Sequence, residues 1–119
     1  MLTSTQVAEN IVRALDDKKG QDIKLLKTDG LTVLADYFVI CTATSAPHIK
    51  ALSDEVDKRL SELDEPPLRR EGYRSGSWVL LDFGCVILHL FQTEAREFYN
   101  LERLWNDAEN IDIAPILEK

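Results

Sequence analysis

The chain has 119 residues, 45% of them hydrophobic and 29% charged, with 14 Lys and Arg against 21 Asp and Glu for a formal net charge of −7. That is one domain's length, enough to bury roughly two thirds of the unfolded surface without staples. An acidic surface with a pI near 4.8 repels phosphate backbones, which argues against broad nucleic-acid binding and favours a basic partner protein.

The opening, "MLTSTQVAEN", lacks a basic region followed by an apolar stretch, so no secretory signal is expected. No run reaches the roughly 20 apolar residues that span a bilayer. Cys41 and Cys85 lie far apart and form no CxxC pair, the pattern of two reduced thiols in a cytosolic chain. The expectation is a soluble, cytoplasmic domain with no membrane partner.

Thr3 and Gln6 stand at capping-box spacing. Val7, Ile11, Ala14 and Leu15 follow as a helical stripe that Gly20 can end. "DIKLLK" reads as a short strand, and "DYFVICTA" (36–43), rich in aromatic and β-branched residues, as a central buried one. Ser45 can cap the next helix, with Pro47 tolerated in its first turn. Ile49, Leu52, Val56, Leu60 and Leu63 share the inner face of that helix. Pro66-Pro67 ends it. "LRREGYR" is an edge strand or a loop. After the hairpin at 76–91, one helix is expected from about Thr93 to Ala108, with Phe98, Leu101, Leu104, Trp105 and Ala108 on one side. Residues 1–108 form the expected domain. The tail 109–119 carries no strong period, as a terminus free to move would. The order implies an α/β (α+β) fold: a mixed sheet with helices packed mainly on one face.

The hairpin "GSWVLLDFGCVILHLF" (76–91) raises the functional question. A two-residue Gly84-Cys85 loop suits a type II′ turn and pairs Phe83 with Val86, Leu81 with Leu88 and Val79 with Leu90, all apolar and suited to the helices. The opposite face pairs Asp82 with Ile87, Leu80 with His89 and Trp78 with Phe91. That face is too apolar for open solvent, since one exposed Trp or Leu forfeits roughly 1.5–3 kcal/mol of burial. It is covered either by a partner or by the C-terminal helix and tail.

Catalytic signatures are weak. Asp82 and His89 lie diagonally on one face, with only Cys85 as a nearby nucleophile, and nothing in the sequence lowers its thiol pKa. His48 suits a packing role, and two distant histidines make a poor metal site. There is no GxxxxGK[ST] or GxGxxG phosphate cradle. No cofactor and no metal are expected. "DEVDKR" reads as a solvated helix face. Tyr99 and Glu102, three apart, share a helix side that is free to face outward.

"DYFVICTATS" (36–45), "GSWVLLDFG" (76–84), "VILHLF" (86–91) and "REFYNLERLW" (96–105) together resemble the ribosomal silencing factor (Iojap-related) family, in order, from about residue 5 to 107. The resemblance implies a nucleotidyltransferase-like topology, commonly a homodimer, and a non-enzymatic role. Family members bind the large ribosomal subunit through ribosomal protein L-14 and obstruct joining of the small subunit. It carries Trp78, Leu80 and Asp82, with Tyr99 and Glu102, over as partner-facing, and Arg74 as a weaker candidate. The chain departs from the family's pattern at Cys85, where an acidic residue is usual. It departs also at Asn100, where Asp is frequent, and at Ala46-Pro47, where Ser-Arg is often found. Two alternatives compete: a nucleotidyltransferase-like enzyme and a plain dimerisation module. The first asks for a D-x-D after Gly76-Ser77, and the sequence has none; Asp112 in the tail stands alone in "IDI".

Overall fold

The computed structural model describes residues 2–30, 35–104 and 106–118, with the Leu104 side chain left aside. Helix α1 (Ser4–Asp17) starts at the expected capping box, in which Thr3 and Gln6 satisfy each other's backbone N–H groups. Strands β1 (Gln21–Lys27) and β2 (Tyr37–Ala43) pair antiparallel. Helix α2 (Ala46–Glu62) begins at Ser45, whose hydroxyl accepts the His48 N–H. "LRREGYR" contains the edge strand β3 (Arg69–Glu71), followed by β4 (Trp78–Asp82) and β5 (Val86–Gln92). The sheet order is β3-β4-β5-β2-β1 and then β6 (Glu109–Ile111). The β2–β5 pair is parallel and the other pairs antiparallel, so the expected mixed sheet is present.

The hairpin register is the one the apolar pattern dictates, from Trp78 opposite Phe91 to Asp82 opposite Ile87. Because side chains alternate along each strand, Val79, Leu81, Val86, Leu88 and Leu90 join Val39 and Cys41 under α1 and α2 in the principal core. The opposite face carries a smaller core of Leu26, Ala35, Phe38, Ile40, Phe91 and Ala108.

Several local expectations are corrected. The hairpin tip is tighter than a type II′ loop: the Cys85 N–H donates to the Phe83 carbonyl at 3.0 Å, with Gly84 at φ +83°. Leu63 is not on the inner face of α2; it is the C-cap and 43% exposed. The single helix from Thr93 to Ala108 is two, α3 (Thr93–Tyr99) and α4 (Leu101–Leu104), separated by Asn100 in the left-handed region (φ 47°, ψ 55°). Phe98, expected inside, points out, whereas Ala108 is buried; Trp105 lies outside the described residues. The tail, which showed no period, forms β6 on the edge of β1 and α5 (Ala114–Leu117), whose Ile116 is buried in the principal core.

Candidate partner-binding face

The hairpin's second face is divided along its length. The C-terminal helices cover its β5 half: Phe91 and His89 are buried, and Ala95 of α3 and Leu101 of α4 pack on this smaller core. The β4 half is left open, with Trp78, Leu80 and Asp82 only half-buried. The C-terminal cover therefore accounts for the β5 strand alone, and the β4 side chains keep their partial exposure.

Trp78 sits at the seam. Its ring centroid is 4.5 Å from Tyr99, 5.1 Å from Phe91 and 5.9 Å from His89, spacings at which aromatic rings attract beyond plain burial. Its indole N–H donates to His89 Nδ1 at 3.2 Å. Beside it, Leu80, Glu71 and Gly72 line a shallow depression of about 230 Å³. Gly72 is required there: at φ +80°, a Cβ would lie 2.1 Å from the Trp78 carbonyl oxygen. Tyr99 is half-exposed and Phe98 is 81% exposed, the two rings meeting edge to face at 5.1 Å. Trp78, Leu80, Tyr99 and Phe98 thus form an apolar, aromatic rim at the open end of the sheet.

The remaining candidates are more tightly engaged than the sequence suggested. Asp82 accepts the Gly84 N–H at 2.8 Å and pairs with Arg69 at 3.2 Å, so it frames the hairpin tip. It shares no hydrogen bond with His89, and the acid–base pair does not form. Tyr99 and Glu102 do not share one helix side, because the break at Asn100 turns α4 away. Glu102 faces inward and receives both Nε and Nη2 of Arg96, each at 3.1 Å. Arg96 itself escaped sequence reading. It is 9% exposed and donates from Nη1 to the Asp22 carbonyl and the Thr42 hydroxyl, both at 2.7 Å. Its neighbours Glu94 and Glu97 suggest an ordinary solvated helix face and give no hint of it. Arg74 lies exposed in the β3–β4 loop, next to Tyr73, whose ring is covered by the Arg70 guanidinium 4.3 Å from its centroid.

The thiol and imidazole chemistry is quiet. Burial pushes Cys41 up to about 12 and raises Cys85 as well, which disfavours the thiolate a nucleophile needs. Burial pulls His89 down to about 4, so its ring is neutral, and its Nε2 has no hydrogen-bond partner among the described residues. His48 is a packing residue: Nδ1 accepts the Thr44 N–H at 2.9 Å. Its Nε2 must then be the protonated nitrogen, donating to the Lys18 carbonyl at 2.9 Å. Asp112, just ahead of α5, is engaged locally, accepting the Ala114 N–H at 3.0 Å. Among the described residues no group of three or more His, Cys, Asp or Glu is gathered as a metal site would require, and no helix is long and apolar enough to cross a membrane.

Comparison with known proteins gives a consistent result. A family model described as "Ribosomal silencing factor during starvation" matches residues 1–119. Ribosomal silencing factor RsfS of Bacillus subtilis (strain 168) is 38% identical over 100 residues, covering 84% of this chain and 85% of its own length. RsfS of Halalkalibacterium halodurans is 34% identical over 116 residues, covering 98% and 99%. The crystal structure of a Chromobacterium violaceum protein is similar at a TM-score of 0.87 and 33% identity, over 95% of this chain and 93% of that one.

Proposed function

The chain belongs to the ribosomal silencing factor family, and from that premise we propose that it represses translation by binding the large ribosomal subunit through ribosomal protein L-14 and blocking the small subunit from joining. A regulatory, ribosome-associated role follows from the family. The particular contact is our reading, and one observation carries it: the half-exposed aromatic rim of Trp78, Leu80 and Tyr99 on an otherwise acidic molecule. Interfaces concentrate their binding energy in such anchors, with Trp and Tyr foremost. The net charge of −7 supplies steering toward a basic ribosomal protein and against bare RNA. In this reading Arg74, exposed in the loop before β4, and Asp82, two residues beyond Leu80 on β4, are further candidate contacts, and Glu102 enters through its pair with Arg96. The action is steric and cytoplasmic, and needs no cofactor.

Sedimentation of the chain with purified large subunits tests the proposal. The wild type is expected to co-sediment and to reduce formation of joined ribosomes when small subunits are added. Trp78→Ala is expected to weaken binding by about 2 kcal/mol, roughly thirtyfold in Kd. Unchanged binding by that variant removes Trp78 from the contact, and a wild-type chain that stays at the top of the gradient overturns the proposal. Micromolar binding of a nucleoside triphosphate with magnesium, read by calorimetry, is the result that favours the enzyme alternative.

A further inference from the structure

We propose that Arg96 is the positioning residue of the aromatic rim, and that Glu102 acts through Arg96 rather than by touching the partner. The inference rests on the reading of that rim as the ribosome-binding face. Arg96 is the only arginine or lysine buried among the described residues, and it joins four separate elements: α3, which carries it, the start of β1, the end of β2, and α4. Two of its neighbours adopt backbone conformations that non-glycine residues rarely take. Asp22, whose carbonyl it holds, lies at φ 49° in a stretch where the β1 register shifts against β2. Asn100, whose N–H donates to the Arg96 carbonyl at 2.9 Å, lies at φ 47°. Such conformations persist where the surroundings over-determine them, and here the Arg96 guanidinium holds one and the Arg96 backbone carbonyl the other.

The consequence for the rim is geometric. Arg96 and Tyr99 are three apart on α3 and so lie on the same side of it, the side that faces the sheet. Fixing Arg96 against β1 and β2 fixes the rotation of α3, and with it the Tyr99 ring 4.5 Å from Trp78 and 6.2 Å from Phe91. The forked pair to Glu102 then folds α4 back at Asn100 and brings Leu101 onto the smaller core. A partner meets a rim already assembled, which spares the entropy of ordering it.

The test uses the full chain and three variants: Arg96→Met, Glu102→Gln and the double variant. NMR reads the Tyr99–Trp78 ring contact, with the Val79–Leu90 cross-strand contact as an internal control for the sheet, and sedimentation reads affinity for large subunits. Arg96→Met is expected to lose the ring contact while keeping the control, and to bind at least tenfold more weakly. The double variant is expected to bind no worse than Arg96→Met alone, because interactions through one network are not additive. Additive losses place Glu102 in direct contact with the partner and overturn its half of the proposal. A preserved ring contact in Arg96→Met overturns the positioning role. Should Arg96→Met fail to fold, Glu102→Gln carries the same ring-contact test from a half-exposed position. A wild type that ignores large subunits overturns the proposed function, and the ring contact still decides the positioning role on its own.

Discussion

His89 shows how one residue's surroundings govern behaviour that composition does not display. Its ring lies between Phe38, Trp78 and Phe91, and burial holds its pKa near 4 against an ordinary 6.5. The unfolded chain therefore takes up a proton that the folded chain refuses. The stabilisation is fully present above about pH 6.5 and is lost as the pH falls toward 4, to the extent of about 3 kcal/mol on the order-of-magnitude scale of one pKa unit per 1.36 kcal/mol. Urea unfolding at pH 7.5 and pH 4.5 is expected to show that loss in the wild type and a smaller one in His89→Phe. Equal slopes in the two proteins would refute the assignment. Asp82 is the second case: it combines a turn cap with the Arg69 pair, which is largely exposed on the Arg69 side and adds little. Asp82→Ala is expected to lower stability by about 1 kcal/mol, mainly through the lost bond to the Gly84 N–H. A Tm that does not move would leave Asp82 as a surface carboxylate after all.

The elements that could be read from sequence are those whose signal is local. The capping box of α1, the Ser45 cap of α2 and the period-2 pattern of β4 and β5 all lie within the residues they organise, and each appears where expected. The C-terminal third was misread because its determinants are distant. "TEAREFYNLERLW" has a continuous helical period, and nothing adjacent shows that Arg96 will reach Asp22, 74 positions away in sequence. The only local trace is Asn100, a residue type that tolerates the left-handed region. Asn100→Gly is expected to be nearly neutral, whereas Asn100→Ala is expected to cost about 1 kcal/mol, because a Cβ without a local hydrogen-bonding group disfavours φ 47°. Thermal unfolding of the two variants checks the order, and an alanine variant as stable as the glycine one would show that the α3–α4 corner is not held in that conformation. Of the site, the β4 half was legible through alternation alone. The inward turn of Glu102 was not, since helical spacing describes only a helix that continues.

On the scale of the whole molecule, residues 109–119 decide where the fold ends. Strand β6 closes the β1 edge opposite Leu25–Lys27, and α5 lies on α1, with Ile116 buried and the Arg13 Nε–H donating to its carbonyl at 3.1 Å. Ile111, Ile113 and Leu117 pack beside it against the principal core. Three features hid this arrangement in the sequence: β6 is three residues long, α5 is four, and both depend on surfaces built by residues from the other end of the chain. A chain cut after Ala108 should therefore uncover an edge strand carrying Leu25 and Leu26 and strip part of the cover from α1. Burying one Ile side chain is worth about 1.5–3 kcal/mol, and partial burial of its three apolar neighbours adds to that, so a loss of roughly 3 kcal/mol is expected. The urea midpoint should fall accordingly, and the m-value should decrease because less surface is exposed on unfolding. Concentration-dependent aggregation should accompany it, since an unpaired apolar edge is a template for another strand. The aromatic rim lies toward the other side of the sheet, on β4, separated from β6 by β5, β2 and β1 in the order β3-β4-β5-β2-β1-β6, so the fraction that stays folded should retain its affinity for large subunits. A truncated chain with an unchanged midpoint and m-value would show that residues 109–119 are an appendage and that the fold is complete at Ala108.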